Sequence, residues 1–198
     1  MADSFSRRQF LTTLGLAGLA LKSPVLFANT SKTPSSSLIM RRIPGTDESV
    51  PAIGMGTWIT FNVGGDAKLI EQRTEVLKTF FELGGTVVDS SPMYGTSPDV
   101  IGKALEALDA RDKVFAATKI WTGDESETRE QAERSLRRWG VERFDLLQVH
   151  NLLGWQGHLE TLKAMKASGA VRYIGITTSH GRRHREFEQV MRSEERRV

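Results

Sequence analysis

Apolar positions along this chain change period again and again between residues 68 and 192. Leu69, Ile70, Val76, Leu77, Phe80 and Phe81 fall mostly on one helical face, so Lys68–Leu83 is expected to be a helix, stopped by Gly84-Gly85. A short apolar run then predicts a strand over Thr86–Asp89, followed by a helix over Pro98–Leu108. The same exchange predicts a strand over Lys113–Ile120, a helix over Ser126–Trp139 ended by Gly140, and a strand over Phe144–Val149. A helix over Gln156–Ser168 with Gly169 as its cap, a strand over Val171–Thr177 and a helix over Arg182–Arg192 complete the pattern.

Ahead of this alternation the Pro-Gly of "PGTDE" marks a turn. It predicts a hairpin of Leu38–Ile43 with Ser49–Pro51, then a short strand over Ala52–Thr57. Strands alternating with helices imply right-handed βαβ units and a parallel sheet. An open doubly wound sheet and a closed (β/α)8 barrel both satisfy that pattern. "GMGTW" is the nearest approach to a dinucleotide fingerprint after the first strand, but it lacks the third glycine and a helix start. In either architecture chemistry gathers at the carboxyl ends of the strands.

Four reactive side chains stand there. Asp89 ends the second strand, Tyr94 lies in the loop beyond it, Lys119 sits at the end of the third, and His150 follows the fourth. A phenol titrates near pH 10 and is a weak acid at neutral pH. An ammonium beside it lowers that value, so Lys119 is expected to activate Tyr94, with Asp89 holding the ammonium in place. A neutral His150 would donate a hydrogen bond to a substrate oxygen, and the set would protonate a carbonyl oxygen while hydride reaches its carbon. Trp58, Trp121 and Trp155 are expected in loops after strands, where they would line an apolar pocket. His180 and His184 share an i, i+4 spacing without a third ligand, so no metal site is expected.

The first 28 residues break the pattern. Arg7-Arg8 with Phe10 and Leu11 leads into the short apolar run Leu11–Leu21 and a small-residue exit at Ala28. That is the form of a twin-arginine export signal, and the run is too short for a stable membrane span. It implies the twin-arginine export machinery as a partner and a periplasmic or exported location. The polar "NTSKTPSSS" of residues 29–37 reads as a linker. Loss of residues 1–28 would remove Arg7, Arg8, Lys22 and Asp3 and take the net charge from +3 to +1. With no basic stripe interleaved with aromatics, nucleic-acid binding is not expected. The absence of cysteine excludes disulfides and thiolate metal sites.

"VVDSSPMYGTSPDVIGKAL", Thr118-Lys119, "SLRRWGVERFDLLQVHN" and "VRYIGIT" occur in the order and context of the aldo-keto reductases, and the chain resembles that family from about residue 38 to about residue 190. The resemblance implies a (β/α)8 barrel of TIM type whose bottom is plugged by the N-terminal hairpin. It implies reduction of aldehydes or ketones by NADPH, with NADH left open. It makes Tyr94 the general acid, Lys119 and Asp89 its tuners and His150 the substrate-orienting donor. Gly56, Thr57, Trp58, Asp89 and Asn151 are implied on the cofactor and substrate side. Thr177 and Thr178 stand where the family usually has Ser-Asn against the nicotinamide carboxamide; they keep a hydroxyl and lose the amide, for which Ser179 is the nearest substitute. About five of the eight barrel strands are present, so residues 38–198 are expected to be the N-terminal part of such a barrel. A non-catalytic nicotinamide-binding barrel and an inactive fragment are the competing expectations.

Overall fold

The computed structural model describes residues 38–179, 181 and 183–193; the segments expected to be an export signal and a linker, residues 1–37, and His180 lie outside the described residues. The hairpin forms as expected, β1 (Met40–Arg42) pairing antiparallel with β2 (Ser49–Pro51). Five further strands make one parallel sheet in sequence order: β3 (Met55–Gly56), β4 (Val87–Asp89), β5 (Phe115–Ile120), β6 (Phe144–Val149) and β7 (Val171–Ile176). Five helices alternate with them: α1 (Ala67–Glu82), α2 (Ser97–Ala107), α3 (Thr128–Trp139), α4 (Trp155–Ala167) and α5 (His184–Arg192). Strands in unbroken order with intervening helices are the start of a (β/α)8 barrel rather than a doubly wound sheet, whose strand order reverses. β3 is shorter than the expected Ala52–Thr57. The chain leaves the hairpin through Pro51, Ile53 is exposed, and only Met55 and Gly56 pair, opposite Val88 and Asp89.

Local chemistry sets the helix ends. Asp66 caps α1 by accepting from the Leu69 N–H at 3.0 Å. Gly140 ends α3 at φ 67°, the left-handed conformation that favours glycine. Ile101, Leu105, Trp139, Phe144, Leu147 and Leu162 are fully or almost fully buried between helices and sheet. Each such side chain contributes roughly 1.5–3 kcal/mol by leaving water. Trp139 meets Phe144 edge to face at 5.5 Å, which fixes α3 against β6. α2 and α3 approach so closely at Gly102 that a Cβ there would lie 2.1 Å from the Arg138 carbonyl oxygen.

The amino ends of the strands carry a charged clasp. Arg172 of β7 pairs with Asp145 of β6 at 2.5 Å and with Glu48 beside the hairpin turn. Tyr173 Oη donates to Glu48 at 2.6 Å, and its ring stacks on Phe115. Asp145 also accepts from the Ala116 N–H at 2.7 Å. The hairpin is thereby locked under the sheet, which leaves the opposite end for the site. Among the described residues no helix is long and apolar enough to cross a membrane.

Candidate active site

Parallel register brings the reactive residues together. Asp89 is level with Gly56 and Ala117, Lys119 with Gln148, and Val149 with Ile176, so five neighbouring strands form one rim. Lys119 is buried and donates to Asp89 Oδ2 at 2.5 Å and to the Ser90 carbonyl at 2.7 Å. Its Nζ also stands 5.2 Å from the centre of the Tyr94 ring. The Tyr94 ring meets His150 edge to face at 6.5 Å, with Trp58 on another side at 6.4 Å. Asp89, Tyr94, Lys119 and His150 therefore share one small volume.

Burial governs the electrostatics. It pushes the Asp89 carboxyl up against the opposing pull of Lys119, and pushes the Lys119 ammonium down against the pull of Asp89. The expected lowering of the Tyr94 phenol is corrected. Its value is raised, first by burial and then by the Asp89 carboxylate. The ammonium expected to activate it is already engaged with that carboxylate. His150 is pushed down to about 4 by burial and by the Lys119 charge, so its ring is neutral at neutral pH.

The nicotinamide-side candidates divide. Gly56 ends β3 opposite Asp89. Thr57 is buried, its hydroxyl donating to the Asp89 carbonyl at 2.9 Å while its own carbonyl accepts from Ser97 Oγ at 3.0 Å. It ties the two strand ends together. Trp58 is 58% exposed at the rim. Asn151 has φ 55°, and its Oδ1 is buried without a hydrogen-bond partner. Thr177 turns its hydroxyl to His150 Nδ1 at 2.8 Å, and Thr178 follows it on the same rim. Of the tryptophans expected in loops, Trp121 follows β5 and is exposed, whereas Trp155 opens α4 and donates to Glu186 at 3.2 Å. The Gly154-Trp155 step starts the helix one residue earlier than the apolar pattern indicates.

Several residues that shape the site carry no signal of their own in the sequence. Gln148 approaches Asp89 Oδ1 at 3.5 Å; the two-residue alternation back from His150 puts it on the same strand face. Arg138 on α3 pairs with Asp99 at 2.8 Å and donates to the Gly95 carbonyl at 2.5 Å and the Pro92 carbonyl at 3.5 Å, so it grips the turn that carries Tyr94. Asn62 grips the same turn from the other side, accepting at 2.9 Å from both the backbone N–H and the hydroxyl of Thr96.

Comparison with known proteins matches residues 52–195 to the aldo/keto reductase family. The chain is 35% identical over 141 residues to the methylglyoxal reductase YeaE of Escherichia coli, covering 66% of this chain and 46% of that protein. It is 30% identical over 153 residues to the aldo-keto reductase YhdN of Bacillus subtilis, covering 68% and 45%. An aldo/keto reductase of Klebsiella pneumoniae, solved in complex with NADP and acetate, superposes with a TM-score of 0.62 at 26% identity, over 73% of this chain and 50% of that one. The chain spans about half the length of the curated relatives it matches. With the family match extending over most of the chain and the parallel strands in barrel order, this chain belongs to the aldo/keto reductase family.

Proposed function

We propose that this chain supplies the catalytic wall of an NADPH-dependent reductase that converts aldehydes or ketones to alcohols. The observation that carries the reading is the meeting of Tyr94, Lys119, Asp89 and His150 at the carboxyl ends of adjacent parallel strands. When bound, the nicotinamide supplies the hydride. The Tyr94 hydroxyl gives its proton to the carbonyl oxygen as alkoxide character develops there. An alkoxide is far more basic than a phenolate, so even a phenol with a raised pKa suffices as the acid. The ring of the phenolate left behind lies 5.2 Å from the Lys119 ammonium, which Asp89 and the Ser90 carbonyl hold in position. Neutral His150 donates to the same substrate oxygen.

The fit of a nicotinamide group is supported by the buried, unpartnered Oδ1 of Asn151, an acceptor suited to a carboxamide N–H, and by the exposed indole of Trp58 beside Tyr94. The names of relatives that act on methylglyoxal make a small 2-oxoaldehyde the first substrate to try. The Arg7-Arg8 segment supports export by the twin-arginine machinery and a periplasmic location. Fusion of residues 1–37 to a reporter should direct export, and Arg7→Lys/Arg8→Lys should abolish it; export that survives the double change would count against this location.

The activity test is NADPH oxidation with a panel of aldehydes and ketones, comparing the chain with Tyr94→Phe. Turnover should fall by roughly 10²–10⁴-fold while NADPH binding is kept. The alternative, a non-catalytic nicotinamide-binding barrel, draws on the loss of the amide at Thr178. It would show cofactor binding without turnover in both proteins.

A further inference from the structure

The two ring nitrogens of His150 are in different situations. Nε2 makes no hydrogen bond among the described residues, whereas Nδ1 lies 2.8 Å from Thr177 Oγ1. The same oxygen accepts from the Asn151 N–H at 3.2 Å. A hydroxyl has one proton and two lone pairs, and Asn151 occupies one lone pair. Among the described residues the proton then has one acceptor within reach, the bare Nδ1 of a neutral His150. The other assignment, Nδ1–H donating to the hydroxyl, leaves the hydroxyl proton with no acceptor among the described residues.

The backbone is shaped to hold this arrangement. Val149 and Ile176 are register partners, and the Thr177 N–H donates to the Val149 carbonyl at 2.9 Å, so Thr177 and His150 leave the sheet side by side. Directly after the N–H that donates to Thr177, Asn151 and Leu152 adopt φ of 55° and 54°, a left-handed turn of two non-glycine residues. Arg183 secures the turn by donating to the Asn151 carbonyl at 3.0 Å and the Leu152 carbonyl at 2.7 Å.

We infer that Thr177 is a positioning residue whose hydroxyl proton holds His150 in the Nε2–H tautomer, with the donor facing the cleft. The inference rests on the proposed carbonyl chemistry for its purpose. Nε2–H donates to a carbonyl oxygen, whereas a bare Nε2 would set lone pair against lone pair. It also gives Thr177 a task other than the carboxamide contact implied for it by the sequence.

The test is long-range ¹H–¹⁵N correlation NMR of the full chain with ¹⁵N-histidine at neutral pH, with His150→Gln assigning the His150 signals. Wild type and Thr177→Ser should show protonated Nε2 and bare Nδ1. Thr177→Val, or Thr177→Ala if the valine variant does not fold, should lose that preference and shift population to Nδ1–H. Wild type with protonated Nδ1, or a hydroxyl-free variant that keeps the Nε2–H pattern, would overturn the inference. The spectrum is read without cofactor or substrate. A chain with the expected tautomer and no reductase turnover would therefore sink the functional reading and leave this one standing.

Discussion

The two ends of the same parallel strands use charge in opposite ways. At the amino ends Arg172 meets two carboxylates, Glu48 and Asp145, and Tyr173 and the Ala116 N–H satisfy the oxygens further. At the carboxyl ends Lys119 meets one carboxylate in a dry setting, and burial pushes both partners toward neutrality. The unpartnered buried atoms also gather toward this end: Ser90 Oγ, Ser91 Oγ, Thr118 Oγ1 and Asn151 Oδ1, with Trp139 Nε1 on α3 the exception among the described residues. One end is electrostatically satisfied and holds the hairpin. The other stores unsatisfied polarity where a substrate would meet it, which is the usual relation between stability and activity at a site.

Changes at either end should separate the two roles. The largest loss of stability is expected from Lys119→Met, which leaves Asp89 partly buried without its cation. It should cost about 3 kcal/mol in urea unfolding. Gly102→Ala touches neither end. Its Cβ would collide with the Arg138 carbonyl, so a loss of about 1–3 kcal/mol is expected in the same assay, with cofactor affinity unchanged. Glu48→Gln at the amino end removes a charge from a partly exposed pair and should cost about 1 kcal/mol, again with cofactor affinity unchanged.

A further effect is one of pH. His150 titrates at about 4 in the folded chain and near 6.5 when unfolded. Between those values the unfolded state binds more protons, so this contribution to stability is complete above about 6.5 and is lost as pH falls toward 4. Thermal unfolding midpoints measured across that window should decline toward acid, and His150→Gln should flatten the slope. A midpoint that rises toward acid in the wild-type chain, with no change in slope on substitution, would contradict it.

Much of this was legible in the residues. The strands could be placed because short apolar runs alternate with amphipathic helices, and Asp89, Tyr94, Lys119 and His150 stood out because each follows or ends such a run. What could not be read is partner choice. The Asp89–Lys119 pair was expected, but that burial and the Asp89 carboxylate would raise the Tyr94 phenol despite the nearby ammonium depends on three-dimensional packing. Thr177 was implied as a cofactor contact by the resemblance, which sets it where the family usually has a serine; that its hydroxyl turns to His150 depends on the register of β6 and β7. Arg138 sits 43 positions from Gly95 on a helix whose other face packs the core, and nothing local marks it as the clamp on the Tyr94 turn.

The most direct test of the contrast is the double variant Asp89→Leu/Lys119→Met, with stability and NADPH-dependent carbonyl turnover measured on the same preparation. If the pair is kept for chemistry at a cost in stability, the double variant should be at least as stable as wild type and well above Lys119→Met, with turnover lost. A double variant less stable than wild type that still turns over carbonyl substrate would contradict the account.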